Sequence, residues 1–196
     1  MPNSPSYTCF NGHNRMVSGT LQTVAMAVKQ VAENEDQHQL LIFDDQSGRS
    51  IDINTQGSYD EVLARFATHP STEAEPEPSQ SLPRGRGRPK LGVVPKEITL
   101  LPRHWDWLAQ QPGGASVTLR KLVDQARREH SGQDLLRQAQ ERAYHFMVAM
   151  AGDLPQFEAA SRALFAQQPA QLSDAMQNWP NDIRHHVLHL ATPLDA

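Results

Sequence analysis

Apolar positions near the start of the chain come in short runs divided by turn residues. Y-T-C-F (Tyr7–Phe10) and R-M-V (Arg15–Val17) flank N-G-H-N, which predicts a β-hairpin. The spacing then widens: Leu21, Val24, Ala25, Val28 and Val31 recur three to four apart behind Thr20, the pattern of a capped amphipathic helix. L-L-I-F (Leu40–Phe43) and S-I-D-I-N (Ser50–Asn54) bracket D-D-Q-S-G-R and predict a second hairpin. Ser58 and Glu61 stand as S-x-x-E, a capping box, ahead of Val62, Leu63 and Phe66. The expected order is ββαββα within residues 1–68.

Residues 69–91 carry Glu, Pro, Gly and Arg with neither period, and are expected to be a linker, disordered when unbound. Beyond it, Lys96–Leu101 reads as one short strand, and Pro102 suits the first turn of a helix bearing Trp105 and Leu108. P-G-G-A ends that helix, and Ser116 is expected to cap the next, with Leu119, Leu122, Val123 and Ala126 inward. A further helix is expected over Asp134–Met150, ending at Gly152-Asp153, with shorter helices punctuated by Pro155, Pro169 and Pro180. The fold class is therefore α+β. Its segments are a small N-terminal domain (1–68), a linker (69–91) and a mainly helical domain (92–196) opened by one strand, with 92–130 a strand-helix-turn-helix block.

Composition adds limits. At 38% hydrophobic and 6% aromatic, the 196 residues can build only modest cores. The single cysteine, Cys9, excludes an internal disulfide and a zinc site built on several thiolates. No secretory leader and no apolar run of membrane-spanning length is visible, so a cytoplasmic protein without a membrane partner is expected. The net charge of -4 conceals a strong asymmetry. Met1–Pro83 holds 4 basic against 11 acidic residues, Arg84–Arg128 holds 10 against 3, and Glu129 onward holds 4 against 8. A phosphate backbone responds to that local basic excess within a Debye length.

The excess begins with P-R-G-R-G-R-P-K (Pro83–Lys90), which resembles an AT-hook. The narrow minor groove of an A-tract has enhanced negative potential that draws in guanidinium groups. Glycine lets the backbone approach the groove floor and proline directs the flanking chain. The resemblance implies Arg86 and Arg88 in the groove around Gly87 and Pro89, with Arg84 and Lys90 nearer the phosphates of an AT-rich duplex. The block that follows resembles a ribbon-helix-helix module in its order of elements. That resemblance implies a homodimer pairing through the Lys96–Leu101 strand and amides of Ser116, Val117 and Thr118 at phosphate. Lys96, Arg103, Arg120, Lys121, Arg127 and Arg128 would add a basic surface. The strand departs from the pattern: its outward set is Glu97, Thr99 and Leu101 or else Lys96, Ile98 and Leu100, and neither supplies base-reading amides or guanidiniums. An ordinary helical hairpin is the alternative for this block.

Other chemistry is sparse. His185 and His189 are one turn apart, but a lone helical turn supplies two ligands, and a solvated helix end is the better reading. Asp44-Asp45 reads as a hairpin turn. Phosphate-loop, dinucleotide and nucleophile-elbow signatures are missing, so no enzyme and no cofactor is expected. Trp105, Trp107 and Trp179 read as core or interface anchors. The stretches R-G-R-P-K-L-G-V-V-P, L-L-P-R-H-W-D-W-L-A, P-G-G-A-S-V and W-P-N-D-I-R-H-H-V resemble a family of uncharacterised bacterial proteins over nearly the whole chain, which implies no activity. The expected function is a non-enzymatic DNA-associated protein, a transcriptional regulator or nucleoid accessory factor. The alternative is a protein-interaction module in which the basic tract is a tether.

Overall fold

The structure is a computed structural model that describes residues 6–32, 40–67 and 94–193. It is α+β: one antiparallel sheet near the start, then helices. Strands β1 (Tyr7–Asn11) and β2 (Asn14–Gly19) form the expected hairpin, with Gly12 at φ +55° in its turn. Helix α1 (Leu21–Ala32) is capped by Thr20, whose Oγ1 accepts from the Thr23 amide at 3.2 Å. Strand β3 (Leu40–Asp44) returns beside β1 and hairpins into β4 (Arg49–Ile51), giving the order β2-β1-β3-β4. Helix α2 (Tyr59–Phe66) begins with the expected reciprocal box between Ser58 and Glu61. The Ser58 amide bonded to the Glu61 carboxylate holds that acid below its ordinary range.

The two faces of the sheet are buried for different reasons. Side chains alternate along a strand. Cys9 and Ile42 therefore join Val24 and Val28 of α1 in one core, while Phe10 and Phe43 enter the other. That second core belongs to the end of the chain. It is built by the C-terminal part of α4 (Gly114–Ala151) and by α5 (Phe157–Phe165), α6 (Pro169–Ala175) and α7 (Asn181–Ala191). Phe146, Met147, Met176, Ile183 and Val187 are among its fully buried members.

Three expectations change here. The compact units are residues 1–68 together with 132–196, and residues 69–131 by themselves, not an N-terminal domain and a separate C-terminal one. The reason is that Phe10 and Phe43 need the terminal helices to leave water. Second, α4 is one helix of 38 residues, so it starts at Gly114, Ser116 lies inside it, and Asp134–Met150 continues it. A lone glycine in a helix costs only about 1 kcal/mol, and Gly132 does not interrupt α4. Third, Lys96–Leu101 has no ladder partner among the described residues and is not a strand; an extended segment becomes one only by pairing. The 69–91 linker lies outside the described residues.

Gly48, in the β3–β4 turn at φ +67°, packs against α4 so closely that a Cβ would stand 1.8 Å from the Arg142 carbonyl oxygen. Gly48→Ala is expected to destabilise the protein by about 2–4 kcal/mol in urea unfolding. A change below about 0.5 kcal/mol would contradict this packing.

Candidate nucleic-acid interface

Residues 94–131 hold the residues of interest in an extended segment, a short helix α3 (Pro102–Ala109) and the first half of α4. Pro102 opens α3 as expected, and its carbon-only N-cap, Leu101, makes no side-chain cap. The turn between helices requires glycine. Gly113 has φ +89°, and a Cβ there would press on Val117 at 3.2 Å; Gly114 follows at φ +72°. Leu100 folds onto the hairpin and, with His104, Trp107, Leu108, Leu119 and Leu122, lines an apolar hollow of about 270 Å³. That contact selects a register. If Leu100 lies toward the helices, the opposite set is Glu97, Thr99 and Leu101, which has no base-reading group.

The basic side chains are exposed. At about 100° per residue, Arg120 and Arg127 share one line along α4, Lys121 and Arg128 the next, and Leu119 and Leu122 the far side. Asp124 interrupts the basic stripe. Arg120 is held locally, donating to the Ser116 carbonyl at 3.1 Å and to its hydroxyl at 3.4 Å. Lys96, Arg103, Lys121, Arg127 and Arg128 make no ion pair among the described residues. Lys96 stands on the extended segment and Arg103 in the first turn of α3, apart in sequence from the stripe. Arg84, Arg86, Gly87, Arg88, Pro89 and Lys90 lie outside the described residues. A stripe of this kind can meet phosphates, which positions a protein on nucleic acid without reading sequence. Trp105 and Trp107, two of the expected anchors, are 41% and 49% exposed, whereas Trp179 is buried and donates to the Pro155 carbonyl at 2.7 Å.

A second polar centre lies inside the sheet–helix core. Asp45 is buried; its Oδ2 accepts from the Thr8 hydroxyl at 3.0 Å and its Oδ1 stands 3.3 Å from His186 Nε2. The distance suits an ion pair, but the atoms are not aligned as a hydrogen bond. The His186 ring meets Phe146 edge-on at 4.6 Å and Phe10 at 5.3 Å. Nearby, Arg142 donates through Nε to the Leu190 carbonyl at 2.6 Å and through Nη2 to that of Thr192, satisfying the end of α7. Burial lowers the Arg142 pKa, and the Asp45 carboxylate opposes that shift. The reading of a solvated helix end holds for His185 and His189, which are exposed, while His186 between them is buried. A signal was present: Ile183, His186, Val187 and Leu190 are spaced as one helix face, and all four are buried.

This centre and the remaining candidates offer little chemistry. Burial pushes the Cys9 thiol up to about 11, so it stays protonated and weakly nucleophilic near neutral pH. Another hollow, about 220 Å³, is lined by Leu136, Ala163, Leu164, Pro169, Leu172 and Ala191, with the amides of Gln140, Gln167 and Gln168 and no titratable side chain. Among the described residues no three His, Cys, Asp or Glu stand together as metal ligands, and no helix is long and apolar enough to cross a membrane.

The buried pair is expected to act as a unit. His186→Leu alone leaves the buried Oδ1 of Asp45 with no polar neighbour and is expected to cost about 3–5 kcal/mol; adding Asp45→Asn should recover at least about 1 kcal/mol. A double-mutant cycle by urea unfolding checks this, and strict additivity would contradict the pairing.

No curated protein and no solved structure matches the chain. One family model, described as "Uncharacterized protein conserved in bacteria (DUF2239)", matches residues 6–191. The chain belongs to that family of bacterial proteins.

Proposed function

We propose that this protein associates with DNA and has no catalytic role of its own, serving as a regulator or nucleoid accessory factor. The observation that carries the reading is the basic face of α4, where Arg120, Lys121, Arg127 and Arg128 stand exposed on two adjacent lines of one helix. It continues a charge excess that opens with the R-G-R-G-R-P-K tract, 10 basic residues against 3 acidic from Arg84 to Arg128. In this reading Arg86 and Arg88 enter an AT-rich minor groove, Arg84 and Lys90 meet phosphates, and the α4 stripe lies along the backbone. Glu97, Thr99 and Leu101 give the block no part in base recognition. Affinity then comes from charge, and a homodimer joined through Lys96–Leu101 brings two tracts to one duplex, which raises effective concentration. The rival, a protein-interaction module, draws on the exposed apolar side chains of the same block. It predicts a partner that co-purifies with a chain lacking residues 83–90.

A fluorescent AT-rich duplex is expected to bind the full chain at about 50 mM salt, with affinity falling steeply as salt rises. Arg86→Ala with Arg88→Ala should weaken binding at least tenfold by anisotropy, on the order of 1–3 kcal/mol, whereas Arg162→Ala should leave it near wild type. Equal losses from both changes, or no binding at low salt, would sink the minor-groove reading.

A further inference from the structure

We propose that the hollow of about 220 Å³ between α4, α5, α6 and the end of α7 binds a small neutral apolar molecule, about two fused rings in size, that carries one hydrogen-bond donor. The site is separate from the basic stripe, and it stands whether or not the DNA reading does. Its walls belong to the packed core: Ala163, Leu164 and Leu172 are buried members of it, so the lining exists before any ligand arrives. Leu136, Pro169 and Ala191 complete an apolar wall. An apolar cavity of about 150 Å³ stays dry and takes benzene. The larger volume here leaves room for a second ring. No titratable side chain lines the hollow, so a charged ligand would lose its hydration with nothing opposite it.

Gln140 supplies the polar recognition. Its side chain is only 9% exposed, and its Nε2 donates to the carbonyls of Leu164 at 2.9 Å and Phe165 at 3.3 Å. Carbonyls only accept, so this pair fixes which end of the amide is nitrogen. Oε1 is the end left over. No described residue donates to it, and it is not among the buried unmet atoms, so it is open where Gln140 borders the hollow. An acceptor held rigidly beside apolar walls suits an N–H or O–H on an otherwise apolar molecule.

Gln167 adds a second observation. It stands at φ +57° just past α5, where glycine is the usual residue. Its amide donates to the Leu164 carbonyl at 3.2 Å, and that of Gln168 to the Ala163 carbonyl at 3.0 Å, which closes the helix end. The left-handed backbone disfavours any side chain, yet one is present and lines the hollow. The hollow at Leu100 and Trp107 has neither feature. Leu108 is its one buried neighbour, and no amide side chain lines it.

Indole and benzothiophene share a shape, and only indole has an N–H, so the first comparison needs no variant. Indole titrated into the full chain is expected to shift the methyl signals of Ala163 and Ala191, with a Kd on the order of 0.1–1 mM. Benzothiophene should bind about fivefold more weakly, the worth of one hydrogen bond. Leu136→Glu puts a charge into the wall at a half-buried position and should weaken indole at least about tenfold. Leu122→Glu, in the other hollow, is the control and should bind indole as the wild type does. Unmoved Ala163 and Ala191 methyls, equal binding of the two compounds, or a loss on Leu122→Glu in place of Leu136→Glu would overturn the proposal. Two further outcomes also count against it. Indole binding that appears only with Leu194→Ser would give the hollow to the chain's own end, and indole that breaks up a self-associated wild type would give it to a second copy.

Discussion

The contact on which the architecture depends is the burial of Phe10 and Phe43 against Phe146 and His186, with Asp45 beside the imidazole. It joins the first forty-five residues to the last fifteen. The sheet alone cannot cover both its faces: α1 covers the side of Cys9 and Ile42, and the other side stays wet until α4 and α7 arrive. Edge-on ring packing supplies the apolar part of that contact. The Asp45–His186 pair adds a polar element whose removal by halves leaves a buried polar atom unmet. Gly48 lets the turn carrying Asp45 approach the α4 backbone, and Arg142, one turn of α4 before Phe146, satisfies the carbonyls that end α7.

This constraint also explains why the chain divides as it does. Residues 132–196 complete the core of 6–67, while the block at 94–131 contains a single buried residue, Leu108. Its exposed apolar side chains and its cations are both surface features, with Leu119 and Leu122 on the side of α4 away from the cations. In the proposed reading a polyanion meets the cations, and the dimer joins through Lys96–Leu101. Weak arms gain most from being paired, since each phosphate contact is diluted by salt.

What was legible in the amino-acid sequence was local. The N-G-H-N turn, the Thr20 cap, the Ser58–Glu61 box and the Pro102 helix start all rest on neighbours within a few positions, and all are present. Misreadings began where the partner was distant. Asp44-Asp45 is the expected hairpin turn, but the contact of Asp45 with His186 went unseen because His186 lies far along the chain. Leu122 and Val123 looked inward because periodicity identifies an apolar face without saying what covers it. Lys96–Leu101 looked like a strand because it is extended, although strand identity requires a second strand. The helix expected over Asp134–Met150 continues one that begins at Gly114. Of the candidate DNA-contacting residues, Lys96, Arg103, Arg120 and Lys121 stand exposed, while Ser116 sits in the first turn of α4 rather than at its cap.

The central claim is that a paired block delivers basic arms to a duplex, and its most direct measurement is the stoichiometry of the complex. Sedimentation equilibrium of the full chain with a labelled AT-rich duplex, at about 50 mM salt, should give two chains on each duplex, released as salt rises. One chain per duplex, or a duplex that sediments unchanged at the lowest salt, would contradict the account.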